Sequence, residues 1–208
     1  MNKRIEKISS YIDETDKIVD IGCDQALLSE LLAKRRIYSI ASDINNSIIK
    51  NAKKRFENSD LNKYIKFVVS DGLKNITDDV DTLVLSGMGT YTILNILNNS
   101  KKQYKKIITI SNNKHDELRK LITNKGYKVD SEEIILDKGK FYNLILFVHG
   151  NKKYTEEELL IGVNHQNKEL LEKKLFIDLN KYKKIYNLSK DKEILNKISI
   201  IEKKLKNH

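Results

Sequence analysis

Lys17-Ile18-Val19-Asp20-Ile21-Gly22-Cys23-Asp24 is the stretch on which the fold turns. A short run rich in β-branched residues stops at a glycine, which reads as a buried strand followed at once by a tight loop. The same grammar recurs downstream. Residues 37–42 end at Asp43, and residues 65–69 lead to Asp71-Gly72. Residues 82–85 end at Ser86-Gly87-Met88-Gly89, and residues 106–110 make a fifth strand. Apolar residues at helical spacing fill the intervals, over 25–35, 46–57, up to Leu97, and 114–124. Ile5, Ile8 and Ile12 predict a further helix ahead of the first strand. Two extended runs, 128–136 and 142–148, flank Asp137-Lys138-Gly139-Lys140, whose turn chemistry predicts an antiparallel pair. The expectation is an α/β domain of Rossmann-like type, with a seven-stranded, mostly parallel sheet carrying one antiparallel strand.

From Thr155 onward the pattern is helix only. A hydroxyl followed by Glu156-Glu157-Glu158 reads as a helix start. Leu171, Leu175, Leu179, Tyr182 and Tyr186 form one apolar stripe; Ile194, Ile198, Ile201 and Leu205 form another after a break near Ser189. The two predict an antiparallel, coiled-coil-like helical hairpin. The division expected is residues 1–152 for the α/β domain and 153–208 for the helical one.

The net charge is +10. Residues 151–208 hold 14 Lys against 9 acids, the same excess of five that the first 150 residues spread over more than twice the length. Excess cations concentrate polyanions, so a nucleic-acid partner is compatible with the appendage. The lone Cys23 fits a reducing cytoplasm, and no run is long and apolar enough for a membrane span. The histidines, His115, His149, His165 and His208, show no metal-ligand spacing, and none stands near Cys23 to activate it as a nucleophile.

In open α/β sheets, ligands bind beyond the carboxyl ends of the strands. There the chain places Asp20-Ile21-Gly22-Cys23-Asp24, then Asp43, then Asp71-Gly72-Leu73, then Ser86-Gly87-Met88. Gly22 permits close approach of a ligand. Asp43 is placed to accept both hydroxyls of a ribose, Asp71 to accept from an adenine amino group, and Ile44 and Leu73 to cover the ring. A dinucleotide loop would need more glycines and no acid beside a diphosphate. One glycine with Asp24 beside it favours S-adenosylmethionine, which has an ammonium group and no phosphate.

The segments Val19-Asp20-Ile21-Gly22-Cys23-Asp24-Gln25-Ala26-Leu27-Leu28, Ser86-Gly87-Met88-Gly89-Thr90 and Asp137-Lys138-Gly139-Lys140-Phe141-Tyr142 resemble the bacterial tRNA methyltransferases that modify N1 of adenine 22. The opening Arg4-Ile5-Glu6-Lys7-Ile8 and the element order agree, so the resemblance spans essentially the whole chain. It departs at Cys23 for Ser, Gln25 for His, Leu27 for Tyr, Ser29 for Pro and Thr90 for Gly; of a Gln-Pro-Asn after strand five, only Asn112 remains. The resemblance implies a class I methyltransferase fold, S-adenosylmethionine as cofactor and tRNA as partner; a monomer without a metal is expected. It also implies a substrate pocket lined by Asp24, the 86–89 backbone, Asn112 and Tyr142, and a contact from Arg4 to the cofactor carboxylate or a phosphate. Two other readings stay open: an RNA-binding protein with a vestigial cofactor site, and a methyltransferase for another substrate.

Overall fold

A computed structural model describes residues 2–206. Each β-branched run forms a strand: β1 (Ile18–Ile21), β2 (Ser39–Asp43), β3 (Ile65–Val69), β4 (Thr82–Met88), β5 (Lys106–Ser111), β6 (Tyr127–Asp137) and β7 (Lys140–His149). The helices between and before them are α1 (Lys3–Ser10), α2 (Leu27–Lys34), α3 (Asn46–Phe56), α4 (Thr90–Asn98) and α5 (His115–Thr123). Beyond the sheet lie α6 (Glu156–Ile161), α7 (Lys168–Ser189) and α8 (Lys192–Lys206).

One sheet holds all seven strands, in the order β3-β2-β1-β4-β5-β7-β6. The first five strands pair in parallel, and β7 lies antiparallel between β5 and β6. β1 and β2 are buried along their whole length, as a strand covered on both faces must be. Ile8, Ile12, Leu28, Leu32, Val84 and Ile108 pack one face, and Leu83, Leu85, Ile93, Leu118, Ile122 and Ile107 pack the other. The doubly wound architecture read from the sequence is therefore the one observed. The β6–β7 turn is tighter than expected. Only Lys138 and Gly139 lie outside the strands, with φ of +48° and +77°, the geometry a two-residue hairpin favours.

The helical appendage is seated more deeply than the sequence suggests. Thr155 caps α6 with both reciprocal bonds of a capping box, but the helix stops after six residues at Gly162. The chain then dips back onto the sheet, where the Val163 amide donates to the Glu132 carboxylate at 3.1 Å. Only after that do α7 and α8 run antiparallel, joined by Lys190 and Asp191. The two predicted stripes meet in one apolar cluster that also takes in Ile134 of β6 and Ile161 of α6. Lys197 of α8 pairs with Asp116 of α5 at 2.8 Å, tying the hairpin back to the α/β domain. No helix among the described residues is long and apolar enough to cross a membrane.

Candidate active site

The ends of β1, β2 and β4 stand in register: Ile21 pairs with Ser42 on one side and Leu85 on the other. Their loops therefore leave the sheet side by side. The loop after β1 folds over the end of β2, with the Gly22 and Cys23 amides donating to the Ser42 carbonyl at 2.8 and 3.0 Å. That turn needs left-handed backbone at Gly22 (φ +77°), Asp24 (+49°) and Ala26 (+54°). Glycine adopts it freely and aspartate tolerates it, whereas Ala26 is strained there and held by complete burial. Arg55 of α3 clips the loop from outside, donating to the Gln25 carbonyl and pairing with Glu30.

The opposite wall is a bulge. The β4–β5 register shifts between Ser86 and Met88, and Gly87 takes φ +80°. A bulge re-aims the strand end, here exposing the Ser86–Gly87 backbone. Asn112 holds it in place: its Nδ2 donates to the Gly87 carbonyl at 2.7 Å, and its amide donates to the Met88 carbonyl at 2.8 Å. The Met88 side chain lies against Gly22, where a Cβ would come within 2.6 Å of its terminal methyl.

Between these walls is a cavity of about 270 Å³ lined by Asp20, Gly22, Cys23, Asp24, Ser86 and Gly87, with Arg4 on the α1 side. Asp20 is only 6% exposed and has no ion-pair partner among the described residues. Burial, reinforced by the nearby charge of Asp43, pushes its carboxyl up to about 7. Arg4 sits with its guanidinium 4.5 Å above the Tyr142 ring, and its Nε is buried with no hydrogen-bond partner among the described residues. Tyr142 thus supports Arg4 from the α1 face. Asp43 closes the end of β2, its Oδ1 accepting from the Asn45 amide at 2.9 Å, and Ile44 beside it is 68% exposed.

Three further expected cofactor residues sit on the loop after β3, which starts beside Asp43: the Ser70 amide donates to the Asp43 carbonyl at 2.9 Å. Asp71 pairs with Lys74 at 2.5 Å, both well exposed, while Gly72 and Leu73 pack toward Ile96 and the core. They line a separate cavity beside α4. Ser70 Oγ donates to the Gly72 carbonyl and accepts from the Asn75 amide, closing a tight turn.

A second cavity, of about 380 Å³, begins at Asn112 and runs between the sheet and α7. His115, Phe141 and Asn143 lie on its sheet side, and Lys174, Lys181 and Tyr182 on its hairpin side. Burial, with Arg119 close by, lowers the His115 pKa to about 4, so this imidazole stays neutral near pH 7. Burial raises the Cys23 thiol, which removes it as a nucleophile. His208 lies outside the described residues, and no group of His, Cys, Asp or Glu among those residues could hold a metal ion.

Sequence reasoning missed Asn2, Arg55 and Asn143. Asn2 caps α1 and lines the cavity between the β1 and β4 loops, and its helix-capping residue type was a usable signal. Arg55 and Asn143 act across the fold and carry no local signature.

The methyltransferase-domain family matches residues 1–145. The tRNA (adenine(22)-N(1))-methyltransferase of Bacillus subtilis is 28% identical over 158 residues, a match spanning 73% of this chain and 66% of that protein. The M. capricolum TrmK structure, in complex with S-adenosyl-homocysteine, superposes with a TM-score of 0.88 at 26% identity, over 99% of this chain and 98% of that one. A Streptococcus pneumoniae protein in complex with S-adenosyl-L-methionine superposes with a TM-score of 0.89 at 25% identity, over 99% of both chains. The chain belongs to the methyltransferase-domain family.

Proposed function

We propose that this protein transfers a methyl group from S-adenosylmethionine to N1 of adenine 22 in tRNA. The observation that carries the cofactor half is Asp20, a buried carboxylate without an ion-pair partner beside a one-glycine loop. Such a group is matched by a cation and is hostile to a diphosphate. The cofactor's ammonium group fits Asp20, its carboxylate fits the Arg4 guanidinium, and its ribose hydroxyls fit Asp43. Exposed Ile44 covers the adenine ring. When bound, the cofactor supplies an electrophilic methyl group.

The rest of the task belongs to the protein. Adenine N1 has an in-plane lone pair and needs no prior deprotonation, so the site has to expose and align the base. Neutral His115, the high thiol of Cys23 and the non-titrating Gln25 agree with a site that moves no proton. The product ring is cationic, and the Gly87 carbonyl, oriented by Asn112, and the Asp24 carboxylate offer negative partial or full charge near it.

The tRNA half rests on the B. subtilis relative and on geometry. The cofactor cleft and the second cavity adjoin at the Asn112–Gly87 bond, as a cofactor site and a base site must. Residues 151–208 carry five of the ten net charges, and the hairpin within them lines that second cavity, which suits contacts to phosphates. We further infer that the separable RNA handle begins at α7, since residues 159–165 are bonded into the α/β domain.

The test is incubation with methyl-labelled cofactor and tRNA transcripts carrying adenine or guanine at position 22, followed by nucleoside analysis. Label recovered as 1-methyladenosine from the adenine transcript alone is the expected result. Equal labelling of both transcripts would remove the site assignment.

A further inference from the structure

Asn143 is 6% exposed, and its Oδ1 is buried with no hydrogen-bond partner among the described residues. Buried amides are nearly always bonded, and one left open costs about 1–3 kcal/mol, so the position calls for an explanation. Leu144 pairs with Ile110 of β5, which puts Asn143 one step further on, level with Ser111. Ser111 in turn pairs with Met88 of β4. Asn143 therefore lies on the same carboxyl edge as the cofactor loops, two strand spacings (about 10 Å) from the β4 bulge. That distance suits one base with a contact at each end. Its cross-strand partner Ile134 belongs to the cluster under the hairpin, so Asn143 shares that face, opposite to Tyr142. It lines the cavity that begins at Asn112. Phe141 lines the same cavity, two strand positions away on the same face of the pleat.

An asparagine amide matches adenine in one well-defined way. Its oxygen accepts from the N6 amino group while its Nδ2 donates to N7. Both atoms belong to the Hoogsteen edge, so N1 stays free. Guanine presents two acceptors, O6 and N7, on that edge, and O6 would face the asparagine oxygen without a proton between them. We propose that Asn143 is the residue that selects adenine, by reading N6 and N7 of the extruded base in the cavity between sheet and hairpin. The proposal rests on the adenine-N1 reading above.

The test needs no mutation to begin with. Wild-type protein is given tRNA with adenine or 7-deazaadenine at position 22; the deaza base keeps N1 and N6 but has no acceptor at position 7. A fall of about tenfold in kcat/KM on the deaza substrate is expected, the effect of one lost hydrogen bond with its donor stranded. Asn143→Ala should lose about tenfold or more on the natural substrate and no longer distinguish the two bases. Its affinity for S-adenosylmethionine by calorimetry should match wild type, which also verifies folding. Equal rates on both bases with wild-type protein would overturn the proposal, as would an undiminished kcat/KM for Asn143→Ala. Absence of transfer to the adenine transcript by cofactor-bound wild type would overturn the substrate reading and this one together, and is distinguishable on that ground.

Discussion

Arg119 and Asp20 are both buried ionisable residues, 0% and 6% exposed, but their surroundings are opposites. Arg119 of α5 donates from Nε and Nη2 to Glu132, at 2.9 and 2.6 Å, and from Nη1 to the Leu159 carbonyl at 2.8 Å. Glu132 also takes the Val163 amide, and Gly162 crosses the knot at φ +96° where a Cβ would meet Glu132, His165 and Arg119 within 2.8 Å. Among the described residues Asp20 has no ion-pair partner, and Arg4 Nε and Asn143 Oδ1 are likewise open. Charge buried for architecture is saturated by the protein itself. Asp20, Arg4 and Asn143 lie along the carboxyl edge, where a ligand can complete them.

The sharpest way to break this contrast is to remove one partner on the saturated side. Arg119→Met should destabilise the fold by about 3–5 kcal/mol in urea titration, because Glu132 is left charged and buried. Adding Glu132→Leu should recover much of that loss. Gly162→Ala comes next, at about 1–3 kcal/mol, from left-handed backbone and a crowded Cβ. On the open side the sign reverses. Asp20→Asn should weaken S-adenosylmethionine binding by about ten- to a hundredfold, the worth of a charge-assisted bond, without lowering the melting temperature of the free protein. An acid whose folded pKa is raised to about 7 favours folding when protonated, so its contribution falls as pH rises from the unfolded value toward 7 and stays low above it. Asparagine cannot ionise, and the free variant should be at least as stable as wild type at pH 8. The smallest effect is expected at the hairpin: Lys181→Ala should reduce the salt dependence of tRNA binding by about one counterion with little change in cofactor affinity.

The sheet was legible because each β-branched run stops at a glycine or an acid, and the hairpin because its stripes keep helical spacing. Strand ends were not. The bulge at Gly87 lets β4 run on to Met88 through residues that read as a loop, and the β6–β7 turn is two residues where four carried turn chemistry. The short α6 and the return to Glu132 depend on Arg119, a partner 13 residues from Glu132 in sequence and visible only once β6 packs on α5. For the site, Asp20, Gly22, Cys23, Asp24, Ser86 and Gly87 were read from their strand ends and share one cavity. Asp71 follows the same rule, on a turn closed by Ser70 that starts beside Asp43, and that closure is a side-chain effect which a strand-end rule does not see. Asn143 looks like an ordinary position in an apolar strand until its missing partner is seen.

The most direct test is calorimetric titration of S-adenosylmethionine into wild type and Asp20→Asn at about pH 5.5 and pH 7, below the range where an α-amino group loses its proton. Wild type should bind about tenfold more tightly at the higher pH, releasing protons as Asp20 is held ionised. The variant should bind weakly and with no such pH dependence. Equal, pH-independent affinity in both proteins would contradict the assignment of Asp20 as the group that waits for the cofactor.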